Sequence, residues 1–490
     1  MNGAKWPKYT VLFVVFAVTL MTAQMVRSAY HHEGQDDAAS FLSVYPDRAG
    51  TKLDNCNLCH VGGIAGGKTV GSCQYCHDVS KYGTIPGKYA STLNAYGLDY
   101  KNAGRNAAAI KAIENLDSDG DGYSNKIEIA ANRYPGDAKD DPTKVPAPSK
   151  VFTKGQLEKM PQHTQFMLMN TTKSGDYYAE YTGVTLERLL KPLMLPSATA
   201  VRAISPDGFS AFHPLNADPN PSYYHVFGEY PSAIYYYVPQ ADLAKNPSCG
   251  WCDYSAPSNE GRHNGQRIVN RHGLKMILAI KRDNQYLTPG ILNASNKLDG
   301  EGPFRVVPPQ KNPGPPDQST AASTTCPIAI WPADPNADRN AGFATRTVTI
   351  LKVEPLPAGT TDPDLLEAGW PYADDQNARI MIYGAIDPVP TIKEKLASLS
   401  STLWHSDKSA FTHWQYRSAL ANRVNLIEKW VMLGWYCHAA QDLKDQVLIR
   451  TDGCTAGGAV DGDDWVADCE FQKQLYWSIN EILVLLNIVN

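Results

Sequence analysis

The chain carries no excess of either charge. Its 45 Lys and Arg face 50 Asp and Glu, for a net charge of −5. Without a basic footprint there is no case for a nucleic-acid partner, and no charge run longer than a few residues marks a solvated tail. Charged residues make up 19% and apolar ones 43%, which describes a globular protein rather than a disordered or fibrous one. The length of 490 residues leaves room for roughly two to four domains with their own cores. Cysteine is sparse, ten residues in all, and four of the ten fall within one stretch of 22 positions.

The N-terminus differs from the rest. Lys5 and Lys8 precede an apolar stretch from Tyr9 to Val26, and the small residues Ser28 and Ala29 follow. This is the layout of a secretory signal peptide over residues 1–28. The alternative is an uncleaved membrane anchor, because 18 uncharged residues lie at the lower limit for spanning. The Thr and Gln within the stretch weaken a permanent span. Under either reading the remainder is expected to be periplasmic or extracellular. Six further cysteines, Cys249, Cys252, Cys326, Cys437, Cys454 and Cys469, are then expected to form disulfides. Their connectivity stays open, with Cys249–Cys252 in "CGWCD" the expected local pair.

The cysteine-rich stretch is "CNLCHVGGIAGGKTVGSCQYCH". Cys56, Cys59 and His60 form a Cys-x-x-Cys-His unit, and Cys73, Cys76 and His77 repeat it. At this cysteine and histidine content, chance produces far fewer than one such unit. Two chemistries use thiols so spaced: zinc held by four thiolates, and covalent attachment of c-type haem. Zinc has no use for a His after each pair. Haem uses all six residues, with two thioethers per Cys pair and each His as proximal iron ligand. Two haem c groups are therefore expected. The five glycines between the units let backbone pass close to a flat macrocycle. For the sixth iron ligands the first candidates are His31 and His32. Met160, His163, Met167, Met169, His405 and His413 are further ones.

Behind these units lies "DSDGDGYSNKIE", residues 117–128. Asp117, Asp119 and Asp121 occupy positions 1, 3 and 5 of a twelve-residue loop, and Gly122 stands where the chain must turn. Tyr123 offers its carbonyl, Asn125 sits at position 9, and Glu128 at position 12 has two oxygens to give. Hard Ca²⁺ wants such an oxygen cage, and three clustered aspartates repel one another without a cation. The alternative is a solvated acidic turn. A helix is expected on each side, from "AAAIKAIENL" and "KIEIAANRY".

Together with the Cys-x-x-Cys-His units, "LNAYGLDYKNAGRNAAAIKAIENLDSDGDGYSNKIEIAANRYPGD" resembles a bacterial multihaem c-type cytochrome module. In that family an Asn-x-Tyr-Gly turn and an Asp-rich calcium-type loop follow the haem segment. The likeness covers roughly residues 50–140 and implies a small α-helical dihaem module over 29–145. "DDPTKVPAPSK", 140–150, reads as a Pro-rich linker.

From 150 to 357 short β-branched runs recur between turns: "AVRAIS", "AIYYYV", "KMILAIKR", "FRVVPP" and "RTVTILKV". "YTGVTLERLL", "VRAISPDGFSAFHPL", "LKMILAIKRDNQYL" and "EGPFRVVPP" resemble, in order, pieces of the sulfite oxidase family's molybdopterin-binding domain. The resemblance implies that fold, with molybdenum held by one cysteine ahead of the Tyr-x-Gly-Val segment. Residues 150–182 contain no cysteine. Met, Asn or Thr cannot replace a soft thiolate, so molybdopterin is not expected. The Tyr-rich "SYYHVFGEYPSAIYYYVP" reads either as a contact surface or as strand core.

Helical patterning returns over 386–490, with Leu420, Val424, Ile427, Val431 and Gly434 at one spacing and Leu475, Ile479, Ile482, Leu486 and Val489 at another. Two amphipathic helices are expected there, the last apolar for too few residues to span a bilayer. The expected fold class is multidomain α+β: a small helical module, a β-rich sulfite oxidase-like domain and a helical C-terminal region. The expected function is an exported dihaem electron carrier serving redox partner proteins or other cytochromes. The alternatives are a molybdenum-dependent oxidoreductase with fused haem, and an oligomeric subunit of an extracellular cytochrome assembly.

Overall fold

The computed structural model describes residues 35–49, 51–54, 56–60, 63–65, 68–70, 93–171, 176–206, 209–217, 223–230, 234–237, 239–240, 252–288, 290, 300–311, 338–363, 372–373, 378–456 and 458–490. Helix and sheet are mixed along the chain, and the C-terminal region is helical.

The N-terminal part is built from α1 (Gln35–Val44), α2 (Ala95–Asn102), α3 (Ala107–Ile113) and α4 (Asn125–Ala130). Asn94 and Asn106 start α2 and α3 by accepting hydrogen bonds from Gly97 N and Ala109 N, which satisfies donors the helix leaves bare. Phe41, Leu53, Leu58, Tyr96, Tyr100, Ile110, Ile113 and Ile129 form a small core between them. Asp37 ties α1 down by accepting from Tyr100 Oη at 2.9 Å and from Arg105 at 2.7 Å. The two expected helices flanking the acidic loop are α3 and α4.

The middle region is a two-sheet sandwich. Its principal strands are β1 (Ser149–Thr153), β2 (His163–Met169), β3 (Asp176–Thr185), β4 (Ala200–Ile204), β5 (Ser210–Pro214), β6 (Ile277–Arg282), β7 (Arg305–Val307), β8 (Ile350–Glu354) and β9 (Arg379–Gly384). One sheet has the order β1-β9-β8-β4-β5, with β9 parallel to β8. In the other, β3 lies between β2 and β6, and β6 also pairs with β7. Side chains alternate across a strand. Val201, Ala203, Leu351, Val353, Ile380 and Ile382 of one sheet therefore meet Val184, Leu278, Ile280, Phe304 and Val306 of the other in a common core. Gly183 allows β3 and β6 to approach closely, since a Cβ there would stand 2.0 Å from the Leu278 carbonyl oxygen.

The β-branched runs read from sequence are strands, at Ala200–Ile204, Ile234–Tyr237, Ile277–Arg282, Arg305–Val307 and Ile350–Glu354. Two expectations need correction. The β-rich region does not stop at 357: β9 continues the sheet from inside the Pro- and Asp-rich stretch and separates β1 from β8. Nor is 140–150 a free linker. Asp140 is buried, and Val145–Pro146 pairs with Thr360–Thr361 as a short parallel bridge. Backbone pairing overrides the flexibility that composition suggests.

The C-terminal region holds α5 (Val389–His405), α6 (Trp414–Met432), α7 (Tyr436–Asp442) and α8 (Cys469–Val489). The apolar stripes of α6 and α8 are buried as their spacing requires. They do not pack chiefly on each other. The unexpected α5 contacts both, linked to α6 by Ser400 Oγ donating to Asn425 Oδ1 at 2.7 Å and to α8 by the Lys395–Glu481 ion pair. Cys454 and Cys469 form a disulfide with Cα atoms 5.4 Å apart. Cys437 is exposed, while Cys249 and Cys326 lie outside the described residues. No described helix is long and apolar enough to cross a membrane, and Tyr9–Val26 lies outside the described residues.

Candidate functional site

Cys56–Leu58 is a single 3₁₀ turn, followed by Cys59 and His60. The turn is held from outside by Asn94. Its side-chain amide donates to the carbonyls of Asn57 at 3.2 Å and Leu58 at 2.9 Å, and its own N–H donates to Cys59 O at 2.8 Å. Gly97 lets α2 lie against this turn, because a Cβ there would stand 2.2 Å from the Cys59 carbonyl oxygen. The Asn-x-Tyr-Gly sequence is thus a clasp on the Cys-x-x-Cys-His turn. His60 continues it as a bridge to Leu93.

Burial pushes the Cys59 thiol up to about 12. An unligated thiolate is therefore costly here. Two thiols followed at once by His60 are the donor set that haem attachment would use. Cys73, Cys76, His77, His31 and His32 lie outside the described residues. Of the remaining candidate iron ligands, Met167 and Met169 are packed on the outer face of the six-stranded sheet, and His405 Nδ1 bonds to Ser401 O within its own helix.

The second constellation is the acidic loop. One carboxylate oxygen each of Asp117, Asp119 and Asp121 lies within 4.8 Å of the others. Gly120 and Gly122 have φ of 81° and 100°, the left-handed conformation that a tight loop requires. Asp117 accepts from Gly120 N and Gly122 N, and Asp121 accepts from Tyr123 N. Glu128, projecting from α4, is fully buried, and neither of its carboxylate oxygens has a hydrogen-bond partner. One oxygen each of Asp119 and Asp121 is likewise buried without a partner. Burial, followed by Asp119, Asp121 and Asp117, pushes Glu128 up to about 9. The 4.8 Å group comprises the three aspartates and not Glu128, but a buried carboxylate repelled by three aspartates is a charge balance that a divalent cation resolves. Asn125 is placed otherwise: its amide donates to Ile113 O and Ser118 Oγ and its oxygen accepts from Ser118 N, so it braces the loop.

In the sandwich, Arg305 of "EGPFRVVPP" is buried and donates to Tyr177 Oη, Tyr181 Oη and Glu301, while Arg282 holds the other Glu301 oxygen. Asn170 ends β2, its N–H donating to Asn340 Oδ1. No thiol stands between residues 150 and 182, so this donor set does not fit a molybdenum thiolate centre. Tyr224, Tyr230 and Tyr237 are core residues, leaving Tyr236 as the exposed member of the Tyr-rich segment among its described residues.

No family model matches the chain, and no curated protein or solved structure matches it.

Two partners of these sites were not visible in the sequence reading. Ser118, within the loop, donates to Asp99 Oδ2 at 2.8 Å and links the loop to α2. Lys52, four residues before Cys56, is fully buried and ion-paired with Asp140. Neither follows from a spacing rule. The only signal for Ser118 is its place between two aspartates of the loop, and a single lysine before a Cys-x-x-Cys-His unit carries no signal of burial.

Proposed function

We propose that the protein is a periplasmic or extracellular dihaem c-type cytochrome that transfers electrons, braced by one structural calcium. The observation that carries this reading is the pair of Cys-x-x-Cys-His units within 22 residues. The Asn94 clasp on the first of them supports it. Cys56 and Cys59 would hold the first macrocycle through thioethers with His60 as proximal ligand, and Cys73, Cys76 and His77 would hold the second. Bound haem supplies reversible one-electron exchange. The chain's own residues fix its position and keep water from it. Asn94 holds the attachment turn, Gly97 allows α2 to cover it, and the core around Tyr96 and Ile110 excludes solvent.

Asp117, Asp119, Asp121, the Tyr123 carbonyl and Glu128 would hold calcium, with Asn125 supporting the loop. The sandwich is read as a non-catalytic, sulfite oxidase-like domain for structure or contact with redox partner proteins, other cytochromes or further copies of the chain.

Pyridine haemochrome spectra with iron, calcium and molybdenum counts on the purified protein test the reading. Two irons and one calcium per chain without molybdenum is the expected result. A colourless product after expression with a working cytochrome maturation system, or one holding zinc, overturns it. Stoichiometric molybdenum instead makes the sandwich an enzyme domain.

A further inference from the structure

Three units of the chain meet at one buried point. Lys52 precedes the haem-attachment turn. Arg133, Tyr134 and Asp140 follow the acidic loop, and Thr361, paired with Pro146, precedes Asp362, which the sandwich holds through Lys352 of β8 and Tyr383 of β9. Lys52 Nζ donates to Asp140 at 2.5 Å and to Thr361 Oγ1 at 3.0 Å, and Thr361 Oγ1 donates to the other Asp140 oxygen. Tyr134 N donates to Asp140 at 3.0 Å, and Tyr134 Oη donates to Lys52 O at 3.0 Å. The Lys52 ammonium also lies 4.7 Å over the Tyr134 ring.

This junction begins at Glu128. The Glu128 carbonyl accepts from Arg133 N at 2.8 Å. Arg133 in turn donates to Lys144 O and lies 3.8 Å from Asp140 Oδ1. Asn132, at φ 58°, turns the chain out of α4 and into Tyr134. On the entry side Lys126 N donates to Glu114 O, so α4 is fixed to the segment after α3 as well. The position of α4 therefore sets the position of both Asp140 holders. That position also brings Glu128 under the influence of the three aspartates, and among the described residues neither of its oxygens has a hydrogen-bond partner. Such an arrangement is held at a cost unless a cation sits in it.

We propose that calcium bound at the 117–128 loop locks the haem-attachment turn onto the β-sandwich, acting through α4 and the Lys52–Asp140–Thr361 junction. The inference rests on the calcium reading above and adds what the ion does: it couples two domains rather than stapling only its own loop. Asn94 already holds the Cys56–Leu58 turn inside the helical module. Lys52 is one residue by which that segment reaches outside it.

Hydrogen–deuterium exchange on the full-length haem-loaded protein, with calcium and after chelation, tests this. Peptides covering 48–54, 132–146 and 357–363 are expected to exchange on the order of tenfold more slowly with calcium. Coupling is reciprocal, so Lys52→Met, which touches no calcium ligand, should weaken calcium binding roughly fivefold or more by titration calorimetry. Thr361→Val serves the same purpose if Lys52→Met fails to fold, with a smaller expected loss. Glu128→Gln should abolish the calcium-dependent slowing at all three peptides. Slowing confined to 114–130, with calcium affinity unchanged in both junction variants, overturns the coupling and leaves the calcium site standing. No calcium uptake by the native chain overturns the site and the coupling together.

Discussion

Gly97 lies in the first turn of α2, where an added methyl would stand 2.2 Å from the Cys59 carbonyl oxygen. Alanine is the better helix former by about 1 kcal/mol, yet Gly97→Ala is expected to destabilise the protein by about 1–3 kcal/mol through overpacking. A lower urea midpoint checks the sign. Asn94→Ala removes both the α2 cap and the donors to Asn57 and Leu58, and is expected to cost about 2–4 kcal/mol. Asn94→Ser should recover about 1 kcal/mol of that, since it restores the cap alone. His213 supplies a pH dependence. Its ring is fully buried, Nδ1–H donates to Tyr224 O, and Nε2 has no partner. Burial pulls it down to about 4 from 6.5. The unfolded chain then binds the extra proton first, so this contribution is complete above pH 6.5 and is lost as pH falls towards 4. About 3 kcal/mol is at stake, and in denaturant titrations between pH 4 and 7 stability should rise with pH by about that much more in the native protein than in His213→Gln. At this scale the clustering of Asp117, Asp119 and Asp121 was legible, because their alternate spacing in a tight loop brings their carboxylates together. Lys52 was not, because a buried lysine is identified by its partner, and Asp140 lies 88 residues away.

Among the elements, legibility followed periodicity. Strands β4, β6 and β8 announce themselves by β-branched runs, and α6 and α8 by apolar residues at helical spacing. The misses share a cause. Strand β9 and helix α5 both begin within or beside a stretch dominated by Pro and Asp, and those residues drew attention away from "RIMIYG" and "TIKEKLASLSSTL". Yet β9 is the strand that pairs with β1 among the described residues, and α5 holds α6 and α8 together. Cysteine pairing was undecidable from order alone. The Cys454–Cys469 disulfide closes a 15-residue separation just ahead of α8. Replacing both cysteines by alanine is expected to cost about 3 kcal/mol, seen as a lower melting temperature of the helical signal in circular dichroism, with no response to reductant in the variant.

For the whole molecule, the Lys52–Asp140 pair marks how the helical module and the sandwich are joined. Burial pulls Lys52 down and pushes Asp140 up, so their mutual attraction must offset a desolvation cost. Removing one partner strands the other: Asp140→Asn is expected to destabilise by about 3–5 kcal/mol and to split one calorimetric transition into two. A single unshifted transition would show that the module is docked by other contacts. The broad arrangement, helical segment, β-rich middle and helical end, was legible from composition and pattern, whereas the docking was not, because the residues that make it are remote in sequence.

Strand β9 also fixes an order of events as the chain emerges N-terminus first. Until Arg379–Gly384 is out, β1 has no neighbour and β8 lacks its parallel partner, so the sandwich cannot close. The cysteines at 56–76 appear some three hundred residues earlier. Any enzyme that modifies them before Arg379–Gly384 has emerged therefore meets a chain whose middle is still open.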